Sequence, residues 1–251
     1  KRLGLEIGLH NCPGYSTSGG PWITPALGMK KLVWTKGTAQ PETKLGFYKD
    51  VAVIAFPVDS SLVSPSPVSD LELKLGVHEL GGSAPDCRFL LSNRNGTADG
   101  GVLLVPSRTV PDISGHMDSE GMLKWTCPSG TWAVLRVGYT CTGAVVSTCS
   151  KGWDGLVLDY MSAEAFDLYV DRVVEPIFKD AGRHVGTTLK FLETDSWECG
   201  GMNWSDGFER RFRAENGYDL TGYLPVLAGY VVDDTDTCNA FLSDFRKTIA
   251  N

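Results

Sequence analysis

Two apolar runs that each stop on a polar cluster constrain this chain more than any other feature. The first, Leu5 to Leu9, scarcely alternates and ends on His10 and Asn11. The second lies in "TTLKFLETDSWE" and ends on Glu193, Asp195 and Glu198. A run that is apolar on both faces suits a parallel strand covered by helices, because a strand with one wet face would alternate. Helical patterns accompany both runs. Phe166, Tyr169, Val170, Val173, Val174, Ile177 and Phe178 form one stripe that starts after the capping residue Ser162 and stops at Gly182. "NWSDGFERRFRAENGYDL" reads as a helix capped by Ser205 and stopped by Gly217. Phe241, Leu242, Phe245 and Ile249 keep helical spacing up to the final residue. After the first loop, Pro25 is expected to start a helix carrying Leu27, Lys30 and Lys31.

Between Leu32 and Thr148 the texture changes to short β-branched and aromatic runs broken by Pro, Gly and Asn, such as "VAVIAFPV", "LELKLGVHEL" and "GVLLVPS". Within it, Pro128, Ser129 and Gly130 supply turn chemistry for a hairpin whose two runs contain Trp125 and Trp132. The order strand, loop, helix, β-rich excursion, helix, strand, helix, helix predicts a parallel α/β architecture with an all-β insertion. In such folds ligands sit at the carboxyl ends of the strands, where both polar clusters fall.

Composition narrows the classes. With 42% hydrophobic residues the 251-residue chain can bury a core, and 23 basic against 30 acidic side chains leave a net charge of −7. That balance argues against a nucleic-acid footprint or a polybasic membrane surface. No stretch approaches the roughly 18 consecutive apolar residues of a membrane span. Seven cysteines without a Cys-x-x-Cys pair are too few for a disulfide-stapled miniprotein and give no zinc spacing, and the pairing of Cys141 with the nearby Cys149 stays open. The chain opens on Lys1 without an initiator Met, and neither end looks like a domain boundary, so an internal piece of a longer protein is expected.

Glu193, Asp195 and Glu198 lie within six residues, beside Trp197, Asn203 and Trp204. Acids this close raise one another's pKa or attract a hard cation, and either outcome suits acid catalysis or metal binding. The indoles offer flat apolar faces on which sugar rings stack, and the amide of Asn203 suits hydroxyls. The same acids would also serve as helix caps on a solvated loop. His10 and Asn11 read either as ligand contacts or as satisfied strand-end residues, while His78, His116 and His184 lack partners at ligand spacing and read as structural. "GYSTSGGPW" has no Walker lysine, and no G-x-S-x-G elbow is present.

Three segments in order, "GLEIGLHNCPGYSTSGGPWITPALGMKKLVWT", "PDISGHMDSEGMLKWTCPSGTWAVLRVGYTCTG" and "LETDSWECGGMNWSDGFERRFRAENGYDLTGYLPVLAG", resemble glycoside hydrolase family 106, the α-L-rhamnosidases. The resemblance spans nearly the whole chain. It implies a partial (β/α)8 TIM-type barrel with an inserted all-β subdomain: residues 1–34 as barrel strand, loop and helix, 35–149 as the β-rich insertion, and 150–251 as the barrel continuation. It also implies removal of terminal α-L-rhamnose from plant polysaccharides or glycosides with inversion, by a periplasmic or secreted parent protein. Inversion places a general acid and a general base about 6.5–9.5 Å apart around the attacking water. Carried onto this chain, the resemblance assigns Glu198 as the general acid. Glu193 and Asp195 become supports or ligands of calcium, and His10, Asn11, Trp22, Trp197 and Asn203 line the sugar pocket. The second catalytic carboxylate is expected on a later strand, so the isolated piece is expected to be inactive. A carbohydrate-binding member without catalysis, or a glycosidase of other sugar specificity, fits the same residues.

Overall fold

The structure is a computed structural model and describes residues 3–10, 19–59, 68–77, 103–146, 149, 151–193 and 199–251. In chain order its elements are β1 (Ile7–His10), β2 (Gly19–Gly20), β3 (Lys30–Lys36), β4 (Lys49–Pro57), α1 (Leu71–Lys74), β5 (Leu104–Val105), β6 (Trp132–Cys141) and β7 (Leu156–Val157). They continue with α2 (Ala163–Tyr169), α3 (Glu175–Ala181), β8 (Leu189–Glu193), α4 (Phe208–Asn216), β9 (Val231–Val232) and α5 (Thr235–Ala250). The chain divides into two compact units, one of residues 1–30 and 141–200, the other of residues 31–140 and 201–251.

In the first unit β1 and β8 pair in parallel, with a register irregularity between Ile7 and Gly8, so that His10 stands opposite Glu193. The two apolar runs of the sequence are therefore strand neighbours, although more than 170 residues separate them. β2 pairs antiparallel with β7. That close approach needs glycine: a Cβ on Gly19 would collide with the Leu156 carbonyl oxygen of β7. The helix expected after Pro25 does not form. Thr24 closes one turn by accepting from Leu27 and Gly28, and then the Met29 N–H donates to Val157, drawing the chain into extended pairing. Ladder bonds beside β7 satisfy the backbone there, so the helical alternative loses.

The Ser162 hydroxyl accepts from the Ala165 N–H at 3.3 Å, and the helix it caps runs to Gly182 as the stripe predicts. It is not uniform, because residues Val170–Val174 form a π-helical stretch between α2 and α3. The buried face of this helical segment, Ala165, Tyr169 and Val174, packs on Ile23 and Leu158.

The second unit centres on a three-stranded sheet in the order β3-β6-β4, in which β4 and β6 are antiparallel. Val53 through Phe56 are buried on both faces of β4. Val53 and Ala55 meet Ile113, with Trp125 and Trp132 packed alongside in an edge-to-face pair at 5.5 Å. Trp132 lies on β6, whereas Trp125 lies in chain that forms no strand, so only the second arm of the expected hairpin is a strand. An aromatic cluster of Trp204, Phe208, Phe212, Phe241 and Phe245 joins α4 to α5. α4 starts two residues later than expected, with Gly207 rather than Ser205 at its cap, and stops at Gly217, whose φ of +78° places it in the left-handed region.

The α/β class is thus present. Among the described residues parallel pairing occurs in β1–β8 and β5–β9, and no closed barrel is found. The stretch 35–149 is not wholly β either, since it contains α1 and two 3-10 turns.

Candidate active site

The first unit carries three groups with chemical potential. At the carboxyl ends of β1 and β8, His10 and Glu193 are register partners and both are exposed. Adjacent strands stand about 4.8 Å apart, so an imidazole and a carboxylate emerge side by side at the end where α/β folds bind ligands. Asn11, Asp195, Trp197 and Glu198, which the sequence places just beyond these strand ends, lie outside the described residues.

Trp22 forms the second group. It packs on the Ile23–Leu158 cluster and meets Trp153 edge-to-face at 5.6 Å, with Trp153 42% exposed. The Trp22 indole N–H is buried and, among the described residues, has no hydrogen-bond partner. A buried donor in that state costs about 1–3 kcal/mol, which a ligand hydroxyl or a water would recover. The pair therefore presents one exposed indole, that of Trp153, beside a buried donor.

The third group escaped sequence reading. The Lys30 ammonium donates to Asp159 Oδ2 at 2.6 Å with both side chains essentially buried, 1% and 0% exposed, and it also reaches the Gly28 carbonyl at 3.3 Å. The other oxygen of Asp159 accepts from the Met161 N–H. Lys30 was expected on the helix after Pro25, and no local pattern points across 129 residues to Asp159. The available signal was an Asp closing the apolar run "GLVLD". Cys141 lies near this pair, and burial pushes its thiol above the ordinary value.

Asn203 lies in the second unit, and its amide is already engaged. Its Oδ1 accepts from the Leu32 N–H at 2.8 Å and its Nδ2 donates to the Leu75 carbonyl at 3.0 Å, with the residue 1% exposed. It also lines a pocket of about 360 Å³ with Leu32, Trp34 and Glu72.

Among the described residues no group of three His, Cys, Asp or Glu side chains could hold a metal ion. Calcium takes roughly six to eight oxygen ligands. The described donors at the strand end are one carboxylate and one imidazole, fewer than calcium takes, and Asp195, the other expected ligand, lies outside the described residues. Cys127, Cys141, Cys149, Cys199 and Cys238 are all free thiols. No helix among the described residues is long and apolar enough to cross a membrane.

Comparison with known proteins covers the whole chain. The family model of the alpha-L-rhamnosidases matches residues 1–44 and 36–251. A curated protein of Formosa agariphila, named "Putative beta-glucuronidase", is 37% identical over 263 residues, which is 100% of this chain and 22% of that protein. The solved structure of a rhamnosidase from Novosphingobium sp. PP1Y superposes with a TM-score of 0.74 at 21% identity, over 99% of this chain and 37% of that one. The chain thus spans about a fifth of the curated relative and little more than a third of the solved structure.

Proposed function

This chain belongs to the alpha-L-rhamnosidase family of glycoside hydrolases, and from that membership we propose that it is the part of an inverting glycosidase that carries the general acid for release of terminal α-L-rhamnose. The observation that carries the reading is the parallel register of β1 and β8. It sets His10 beside Glu193 at the ligand-binding end of the strands, and the sequence continues from Glu193 directly into Asp195 and Glu198.

In this reading Glu198 protonates the leaving glycosidic oxygen, while a carboxylate elsewhere in the parent protein activates the water. Glu193 and Asp195 are carboxylates close to Glu198 in sequence, and a like-charged neighbour favours the protonated form that an acid catalyst needs. The exposed Trp153 ring supplies an apolar face of the kind a sugar requires. Calcium at Glu193 and Asp195, and export of the parent to the periplasm or medium, remain part of the proposal. The (β/α)8 barrel belongs to the same proposal and would be completed by the rest of the parent.

A second reading rests on the name of the Formosa agariphila relative, which points to a uronic acid as the sugar released. One experiment addresses both. In the full-length protein, Glu198→Gln should cut turnover of an aryl α-L-rhamnoside by about two orders of magnitude or more. Near-normal turnover in that variant removes Glu198 from the mechanism. Wild-type cleavage of an aryl β-D-glucuronide in place of the rhamnoside selects the second reading.

A further inference from the structure

In the second unit, strand β3 and helix α1 form two walls of a pocket of about 360 Å³, within the range of small-molecule sites. Leu32 and Trp34 stand two apart on β3 and so share the face that lines one wall, while Leu71, Glu72 and Leu75 line the other. The walls are fixed from behind. Asn203 bridges the Leu32 N–H to the Leu75 carbonyl, and Arg246 of α5 donates to the Lys74 carbonyl at 2.8 Å. A pocket held by such bonds is preformed, so binding costs little ordering.

Three features give this pocket one electrical sign. The indole of Trp34, 36% exposed, carries a negative face of the kind that attracts cations. Glu72 is exposed, and its carboxylate has neither a hydrogen-bond nor an ion-pair partner among the described residues. Lys74, two residues on, does not neutralise it, because its ammonium is turned to Asn239 of α5 at 2.8 Å and Ser69 at 3.4 Å. The third feature is the C-terminal end of the 3-10 segment Thr221–Ala228, where the backbone carbonyls concentrate partial negative charge beside the pocket. No described lining residue is basic.

We propose that this pocket binds a small quaternary ammonium compound. A metal ion or a primary ammonium needs several oxygen acceptors to replace its water, and Glu72 is the one described side chain here with an acceptor to spare, since Asn203 is engaged at both ends. A methylated cation donates no hydrogen bonds and sheds its water easily, so one carboxylate, one indole face and apolar walls suffice for it. Its charge lies against Trp34 and Glu72, and its methyl groups meet Leu32, Leu71 and Leu75. The charge and the lining of the pocket select this class whatever sugar the parent protein releases.

The test uses the full-length protein labelled with 5-fluorotryptophan, in which the Trp34 resonance is identified by its loss in Trp34→Phe. Titration with choline should shift that resonance saturably. Its neutral counterpart 3,3-dimethylbutanol, in which carbon replaces the charged nitrogen, should bind at least about tenfold more weakly. The anion 3,3-dimethylbutyrate should leave the resonance in place. Glu72→Gln should weaken the choline response about fivefold, with the other tryptophan resonances unmoved as the check on folding. A Trp34 resonance unmoved by choline, an equal response to either counterpart, or an unchanged choline affinity in Glu72→Gln overturns the proposal.

Discussion

Lys30 and Asp159 show how much one buried pair can govern. Both are stripped of water, and their mutual attraction, with the Gly28 carbonyl and the Met161 N–H as further partners, offsets the loss of hydration. Lys30→Met leaves a carboxylate buried without its cation and should cost about 3–5 kcal/mol in urea denaturation, whereas Lys30→Met with Asp159→Leu should cost much less. Equal losses in the single and double variants would show that the pair is not the source. A contrasting case is Asp50, whose two oxygens each accept a 2.7 Å bond from Arg136. The Arg136 guanidinium holds that carboxyl below the ordinary range, with the Tyr48 hydroxyl, at 2.8 Å, contributing. A depressed folded-state pKa adds stability above the unfolded value near about 4 and forfeits it as pH falls through the folded one. Asp50 is 47% exposed at its side chain, so solvent reduces the gain to the order of 1 kcal/mol. Asp50→Asn should therefore be less stable than wild type at pH 7, with the gap closing as pH drops below about 4. A gap that persists at pH 2 would point to lost packing instead.

At the scale of elements, the features readable from sequence were those whose causes are local. Ser162 sits immediately before an apolar stripe and Gly182 immediately after it, and both act where expected. Ser162→Ala should cost about 1 kcal/mol through loss of the bond to the Ala165 N–H, while Ser162→Asp, which keeps an acceptor, should cost little. A full loss in both would mean that the cap bond does not matter. The apolar runs of β1 and β8 identified strands for the same local reason. What sequence could not supply is competition from distant chain. The turn at Thr24 to Gly28 looks like the start of a helix until β7 captures Met29, and Lys30 reads as a helix residue until Asp159 is placed beside it. Asn203 was singled out for an amide suited to sugar hydroxyls, yet the backbone of Leu32 and Leu75 claims both ends of that amide. Its position among tryptophans gave no hint of this, because its partners come from β3 and from the residue after α1.

For the molecule as a whole, the β1–β8 pair poses a question of cover. Parallel strands are ordinarily buried on both faces, and two strands alone are marginal. Here Leu5 is 66% exposed, Ile7 58% and Phe191 54%, beside a shallow apolar recess lined by Ala181, His184 and Leu189. Apolar surface of that kind, with both strand edges open among the described residues, invites association. The relatives that match this chain are several times longer, and the (β/α)8 proposal assigns the missing cover to the remainder of the parent protein. The 251-residue chain expressed alone should then bind the dye ANS and associate as concentration rises. The full-length protein should do neither, and Leu5→Lys with Phe191→Lys should suppress both effects in the isolated chain. An isolated chain that stays monomeric and dark to ANS would mean that this strand pair needs no further cover, and the barrel proposal would lose its physical motive.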